Sequence, residues 1–600
     1  LRVRVGGGRA VEVTVTPGRR WYAIATAPGA WRAGENRIAF DRDVVVETLR
    51  IAADPAAVVA ADPSAAPAWD PARRVLTLDG GAGLAWYVDL PPAAALVAPV
   101  DEPACTVDVR ATADDGAAIE DALSAAHPRV DLAAIGDRPV RLELTARGCA
   151  RATLVDPAVM LPGAAAAPAP RGPPPRYVVL WIFDAFRADK VRPFQPGARA
   201  EVPNFEKLAT DGAVFRDYYV QGNESQVSHS SLWTSTYPAV HDVRPVGEGG
   251  SWHLPRRLPV LGEMVRAAGL TPIAVTGNGF VTAEAGYGRG FDEYRNMMRE
   301  KGVINGVLYG EQILAHGLRR LEARKAEPLF LFIGTVDTHG PWIARKPWID
   351  RYSPHYHGPF EHFARAYELG IVQGQMGCSK IPAAPEIDRL RAIYDSAVSY
   401  HDARVGDLVA GLQRLGIYEQ TMIILTADHG EELFEDGRCG HGGSLRESLV
   451  HVPLLIHYPP RIAAGVVDEG VEEIDVLPTI LDALGADLPD GLQGESLLGL
   501  AAGVGRGWPR PSYASQFEYA HTMRVGHWKL KAGKRGAAHL IDLVRDPDER
   551  TDVGPVRPVA WRTLTDALGL FLATRERWHK RTMGVVTNLA PGAAALLEGR

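Results

Sequence analysis

Residues 422–430 read Met-Ile-Ile-Leu-Thr-Ala-Asp-His-Gly. Four strand-compatible apolar residues, two of them β-branched, run almost directly into the adjacent pair Asp428-His429 and then a glycine. Such a run reads as a buried strand of an α/β sheet, and in open sheets of that kind ligands bind at the carboxyl ends of strands. An anionic oxygen beside an imidazole nitrogen suits a hard or borderline divalent cation. The competing reading is a strand that closes on a polar turn, with Asp428 capping a helix begun at Gly430-Glu-Glu-Leu-Phe.

The sequence on either side favours an α/β sheet. Tyr177–Phe183 is an apolar run, Asn204–Thr210 opens a helix behind Pro203, and Val260–Ala268 is helical and leads into a strand at Thr271–Thr276. Leu329–Val336 is a further buried strand. Asp388–Leu415 sets Leu390, Ile393, Tyr394, Ala397, Val398, Val405, Leu408, Val409 and Leu412 along one helical face. Strand–helix alternation predicts a mainly parallel sheet flanked by helices. From about residue 510 the pattern turns β again, as a small C-terminal subdomain with strands near Met523–Val525, Trp528–Lys531 and His539–Leu543.

Residues 1–158 have a different rhythm. Leu1–Val5 and Val11–Val15 alternate strictly, and short runs follow at Asn36–Phe40, Val44–Ile51, Val75–Leu78, Leu84–Leu90, Thr106–Arg110 and Val140–Leu144. Short strands separated by Gly, Pro and Asp turns predict a β-sandwich. Only Ala117–Ala126 reads as a helix. Trp21, Trp31, Trp69 and Trp86 are candidates for a carbohydrate-binding face, although tryptophan is more often core. Residues 159–175, rich in Pro and Ala, read as an extended linker, which leaves 176–600 for a catalytic domain.

Composition narrows the function classes. The 600 residues are 46% hydrophobic and 23% charged, an ordinary globular balance. That length implies more than one domain, because single cores stop growing near ~250–300 residues. A net charge of −7 argues against a nucleic-acid partner. No window holds the ~18 consecutive apolar residues of a membrane span. The chain begins at Leu1 rather than Met, so its true N-terminus is expected to lie upstream, and with it any signal peptide or lipid anchor. Cys105 and Cys149 fall in the first region, Cys378 and Cys439 in the second, with no C-x-x-C spacing for a zinc site. They are either free thiols or two disulfides; disulfides would suit a periplasmic or extracellular protein.

Four segments place polar chemistry at strand ends or helix starts. Val178–Phe183 ends in Asp184, whose unpaired burial would be costly. Ser225-Gln-Val-Ser-His229-Ser-Ser leads hydroxyls and a histidine into a helix, and a helix N-terminus is a ready anion site. Asp337-Thr-His339-Gly-Pro and Asp428-His429 follow, the latter succeeded by Gly440-His441-Gly-Gly-Ser. Each has a plain alternative: serines cap helices, and lone histidines are more often structural.

The order of these motifs resembles the sulfatase family of the alkaline phosphatase superfamily over residues 176–575. YVVLWIFDAFRAD is similar to its opening strand and metal aspartate, and VPNFEKLATDGAVFRDYYV to the helix and strand that follow. SQVSHSSLWTSTYPAVHDV stands where the nucleophile belongs. LFLFIGTVDTHGPW, MIILTADHGEEL and GHGGSLRESLVHVPLLI come in family order. The resemblance implies an alkaline-phosphatase-like fold and one divalent metal (Ca, Mn, Mg or Zn) held by Asp184, Ser225, Asp428 and His429. It implies His339 near the leaving group and His441 near the anion, with His229 a further candidate catalytic residue.

Two departures alter the expectation. Ala185 stands where many relatives carry a second aspartate. The signature C/S-x-P/A-x-R that directs conversion to formylglycine reads here Ser225-Gln-Val-Ser-His229, so conversion is not expected and a plain hydroxyl must serve. The expected function is a metal-dependent hydrolase of a sulfate ester, or of a related phosphate or phosphonate ester, on a small molecule or glycan. Alternatives are a phosphoglycerol or phosphoethanolamine transferase and a non-catalytic binder of sulfated or phosphorylated ligands. Asp337, His339 and His441 are candidates for a second metal.

Overall fold

The computed structural model describes residues 67–161, 172–244, 252–300, 309–364, 380–516, 520–533 and 538–579, with three short strands at Arg2–Val5, Val11–Glu12 and Ile38–Phe40. The chain divides into two compact units, one built on Leu1–Pro162 and the other on Gly163–Leu568.

The larger unit is organised by an eight-stranded sheet. Its strands are β1 (Tyr177–Phe183), β2 (Ala213–Phe215), β3 (Thr271–Thr276), β4 (Glu293–Asn296), β5 (Leu329–Thr335), β6 (Thr421–Ala427), β7 (Leu454–His457) and β8 (Gly465–Val467). They lie in the order β4-β3-β5-β1-β6-β7-β2-β8, and of the eight only β7 runs against its neighbours. β1, β5 and β6 are buried at every position, the pattern of parallel strands covered on both faces. Helices α1 (Pro203–Asp211), α2 (Ser225–Thr234), α3 (Leu261–Ala267), α4 (Gly310–Arg324) and α5 (Ala384–Leu415) flank the sheet. α5 buries the face that its sequence predicts and stops at Gly416, where φ is 72° and a residue without Cβ closes the helix. A separate four-stranded antiparallel sheet, Ser512–Gln516, Ala520–Val525, Trp528–Gly533 and Ala538–Asp542, forms the C-terminal β layer.

Parallel register determines which residues meet at the sheet edge. Phe183 stands opposite Ala427 on one side and Thr335 on the other. Asp184 and Asp428, each one residue further on, therefore leave adjacent strands side by side. The segment after His429 does not form the helix of the competing reading. Glu432–Leu433 pairs instead with Cys439–Gly440 as a short hairpin, and Phe434 turns the chain at φ 69°. Gly430 lies so close to Ser448 that a Cβ would sit 1.9 Å from its carbonyl oxygen, and its N–H bonds to Leu449 O.

The smaller unit consists of antiparallel sheets, among them the four strands Gly83–Leu90, Arg138–Arg147, Thr106–Thr112 and Ala118–Leu123. The last of these corrects the helix expected over Ala117–Ala126. The turn at Asp114-Asp115-Gly116, with Gly116 at φ 87°, folds this helix-prone segment onto Thr106–Thr112, and pairing outweighs local propensity. Trp69 and Trp86 are 40% and 38% exposed, so these two are not core residues. Trp21 and Trp31 lie outside the described residues, as do the strand expected at Val44–Ile51 and most of the Pro/Ala-rich linker. Cys105 and Cys149 form a disulfide, and Cys439 is also disulfide-bonded.

Candidate active site

Ser225 is the first residue of α2, and its Oγ donates to Asp428 Oδ2 at 2.7 Å. His429 Nε2 lies 3.4 Å from the same oxygen. The His429 tautomer is fixed from behind: Nδ1–H donates to Gly430 O at 2.8 Å, which leaves the Nε2 lone pair facing Asp184 and Ser225. Burial lowers the His429 pKa to about 4, so at neutral pH the ring is in the form that binds metals.

The two aspartates are not equivalent. Asp428 Oδ1 accepts the N–H of Ala185 at 3.2 Å and of His429 at 2.9 Å. Burial disfavours its charge, but the adjacent His429 and His229 and the hydrogen bonds prevail and hold it below the ordinary carboxylate range. Asp184 is pushed well above that range, first by burial and then by the charges of Asp428 and Glu431. Its Oδ1 is buried and has no hydrogen-bond partner. Two carboxylates leaving neighbouring strands cannot both ionise there without a cation. Among the described residues, Asp184, Asp428 and His429 are the one cluster able to hold a metal, with ligand atoms within 4.8 Å of one another. The orphaned oxygen, the like-charge pair and the outward imidazole lone pair all fit a divalent ion.

The histidines divide into two groups. His339 and His441 lie by the cluster: the His441 ring centroid is 4.4 Å from that of His429 and 4.9 Å from that of His339. His441 Nδ1–H donates to Glu431 Oε1 at 2.9 Å, and His339 Nδ1–H to Gly340 O at 2.6 Å. Burial and the neighbouring His441 lower the His339 pKa. Burial opposes the charge of His441 too, but Glu431 outweighs it and the pKa rises. His229, in contrast, lies beneath the nucleophile. Its Nδ1–H donates to Ser225 O at 2.9 Å and its ring packs against Trp233, Tyr287 and Phe332.

Asp337 does not join His339 and His441 as the second-metal expectation required. Its Oδ1 pairs with Arg345 at 2.5 Å and its Oδ2 accepts Gly310 N–H at the start of α4. Arg345 is itself held between the rings of Tyr309 and Tyr400. An internal cation and a helix N-terminus already meet this carboxylate, while burial raises its pKa to about 6 against them. Two residues absent from the sequence expectation are present instead. Glu431 supports His441. Asn278, two residues beyond β3, donates to both Asp184 Oδ2 and Ser225 Oγ at 2.8 Å. The strand-end rule that singled out Asp184 and Asp428 applies equally to Asn278.

The family model named Sulfatase matches residues 176–486, more than half of the chain. The chain belongs to the sulfatase family. A second family model, N-sulphoglucosamine sulphohydrolase C-terminal, matches residues 434–555 of this sulfatase-family protein. Arylsulfatase K of Mus musculus is 35% identical over 188 residues, 29% of this chain and 34% of that protein. The chain thus spans about a third of the length of that curated relative. Arylsulfatase A of Homo sapiens is 27% identical over 62% of this chain and 78% of its own length. The phosphonate monoester hydrolase of Agrobacterium radiobacter shares the fold at TM-score 0.55 and 21% identity, covering 68% of this chain and 97% of that one. A structure solved with its substrate D-glucosamine-2-N,6-O-disulfate shares it at TM-score 0.56 and 16% identity, over 68% and 98%.

Proposed function

We propose that this protein is a metal-dependent hydrolase that cleaves a sulfate ester, or a related phosphate or phosphonate ester, with the hydroxyl of Ser225 as nucleophile. The observation that carries the reading is the contact of Ser225 Oγ with Asp428 Oδ2 at 2.7 Å beside His429 Nε2 and the unpartnered Asp184 Oδ1. A nucleophile is thereby held against a metal-ready cluster at a helix N-terminus. The arylsulfatase relatives support a sulfuric ester as the first substrate class to test.

Asp184, Asp428, His429 and Ser225 Oγ would hold one divalent ion, which when bound lowers the pKa of the hydroxyl and offsets charge on the ester oxygens. The rest is done by the chain. Ser225 Oγ, its proton passing to Asp428 Oδ2, bonds to sulfur or phosphorus as the bond to the leaving oxygen breaks. The leaving oxygen takes a proton from His441 or His339, the two imidazoles beside the cluster. Water then attacks the sulfo- or phospho-serine, releases the inorganic anion or phosphonate, and restores the serine hydroxyl. Ser225 acts unmodified, because the residues after it depart from the formylglycine signature. A periplasmic or extracellular location accords with the Cys105–Cys149 disulfide.

The test is Ser225→Ala in purified protein, assayed on 4-nitrophenyl sulfate, phosphate mono- and diesters and a phosphonate. Turnover is expected to fall at least ~10³-fold with the unfolding temperature unchanged. Full activity in that variant would remove Ser225 from the reaction. The mass of the peptide spanning Ser225 is expected to be that of serine, two hydrogens heavier than formylglycine.

A further inference from the structure

We infer that Asn278 is a further catalytic residue of this reaction, donating a hydrogen bond to the nucleophilic oxygen while holding Asp184 in place for the metal; the inference rests on the nucleophile assignment above. The orientation of the amide is determined by its surroundings. Asn278 Oδ1 accepts the backbone N–H groups of Phe280 at 2.9 Å and Val281 at 3.3 Å. An NH₂ group cannot accept those bonds, so Nδ2 is the atom that faces the cluster. Its two hydrogens are both used, one on Asp184 Oδ2 and one on Ser225 Oγ, each at 2.8 Å.

The residue is rigid as well as correctly oriented. Asn278 is 4% exposed, its N–H bonds to Thr276 Oγ1 and its carbonyl accepts Asn296 Nδ2. Backbone and side chain are thus both fixed before any substrate arrives, the condition under which a donor adds to catalysis without reorganising.

The two bonds have different consequences. Ser225 Oγ gives its own proton toward Asp428 and receives one hydrogen bond from Asn278. As negative charge gathers on that oxygen, a neutral hydrogen bond becomes a charge-assisted one, roughly twice as strong. The gain is realised on the way to the transition state, so it raises kcat rather than tightening substrate binding. On the other side, Asn278 occupies Asp184 Oδ2 and leaves Oδ1, the atom with no hydrogen-bond partner, as the oxygen available to a cation. Ala185 supplies no second carboxylate to brace Asp184, and Asn278 braces it without adding negative charge beside the nucleophile.

The experiment compares Asn278→Ala and Asn278→Asp with wild type, using the 4-nitrophenyl ester that wild type turns over fastest. Metal affinity is measured separately by titration calorimetry on stripped protein. Asn278→Asp keeps the size and the acceptor for the Phe280 turn but replaces the donor by an acceptor, so it serves if the alanine variant fails to fold. Expected is a fall in kcat of about 100-fold in either variant, KM within about threefold, and turnover that excess metal does not restore. Either folded variant keeping kcat within threefold of wild type would overturn the inference. Restoration of kcat by excess metal would also overturn it, since Asn278 would then serve metal retention alone. Ser225→Ala keeping full activity would remove the nucleophile assignment itself, an outcome distinct from both.

Discussion

Asp184 and Asp337 follow the neighbouring strands β1 and β5 at the same edge of one sheet. Both are buried. Asp337 meets Arg345 and the N–H of Gly310, so its charge is answered inside the protein. Asp184 meets Asp428, a second carboxylate, and keeps one oxygen without a partner. What separates the two strand-end aspartates is thus not where they stand but what meets them: among the described residues no Lys or Arg pairs with Asp184, which leaves it a candidate metal ligand. Burying an unbalanced carboxylate is costly, and at Asp184 a bound divalent ion would offset that cost.

The strongest way to break this contrast is to substitute across it. Asp428→Asn is expected to lower turnover by more than ~10³-fold while leaving the metal-free protein no less stable, because it removes one of two facing like charges. Asp337→Asn is expected to do the reverse. It leaves Arg345 buried without its carboxylate, which costs about 3–5 kcal/mol of stability, and activity per folded molecule stays within a few-fold. Denaturant melts of both variants after chelation, paired with kinetics, decide the matter; equal destabilisation would end the distinction.

A finer test uses pH on chelated protein. Burial and the Asp428 charge raise the Asp184 pKa in the folded state above its ordinary 3.8. The folded state then binds more protons than the unfolded one, so stability falls as pH rises above about 4 toward the folded pKa. Wild type minus Asp184→Asn isolates this slope. Saturating divalent metal is expected to flatten it, since an ion on Oδ1 balances the charged form. A difference that is flat without metal, or that slopes upward with pH, would mean that Asp184 is not the strained carboxylate.

The sequence made part of this contrast readable. The apolar runs within β1 and β6, seven residues and four, lead so directly to Asp184 and Asp428 that strand, strand end and candidate ligand could be read together. Asp337 carries the same signal, and the sequence alone leaves it a candidate for a second metal, because Arg345 is eight residues away and its approach depends on Tyr309 and Tyr400. Asn278 was illegible for the opposite reason. In Thr-Gly-Asn-Gly-Phe it reads as a turn, which it also is; its second role requires the register that brings β3 beside β5. Glu431 is illegible because its contact with His441 depends on the hairpin that pairs Glu432–Leu433 with Cys439–Gly440.

The smallest expected effect concerns Glu431, where the protein again answers one charge with another, but at the site. Glu431 is 1% exposed and accepts Nδ1–H of His441 at 2.9 Å, which sets the ring's tautomer and orientation. Glu431→Gln keeps the volume and removes the charge. The raised His441 pKa owes its direction to that charge, against burial. Without it His441 loses its proton at a lower pH, so the alkaline limb of the kcat profile should move toward acid. At neutral pH kcat is expected to fall about tenfold. His441→Ala should lose more, and Glu431→Gln in that background should lose nothing further, because the carboxylate acts through the imidazole. An additional loss in the double variant would mean that Glu431 acts on the metal cluster directly, and an unmoved alkaline limb would assign the leaving-group proton to His339.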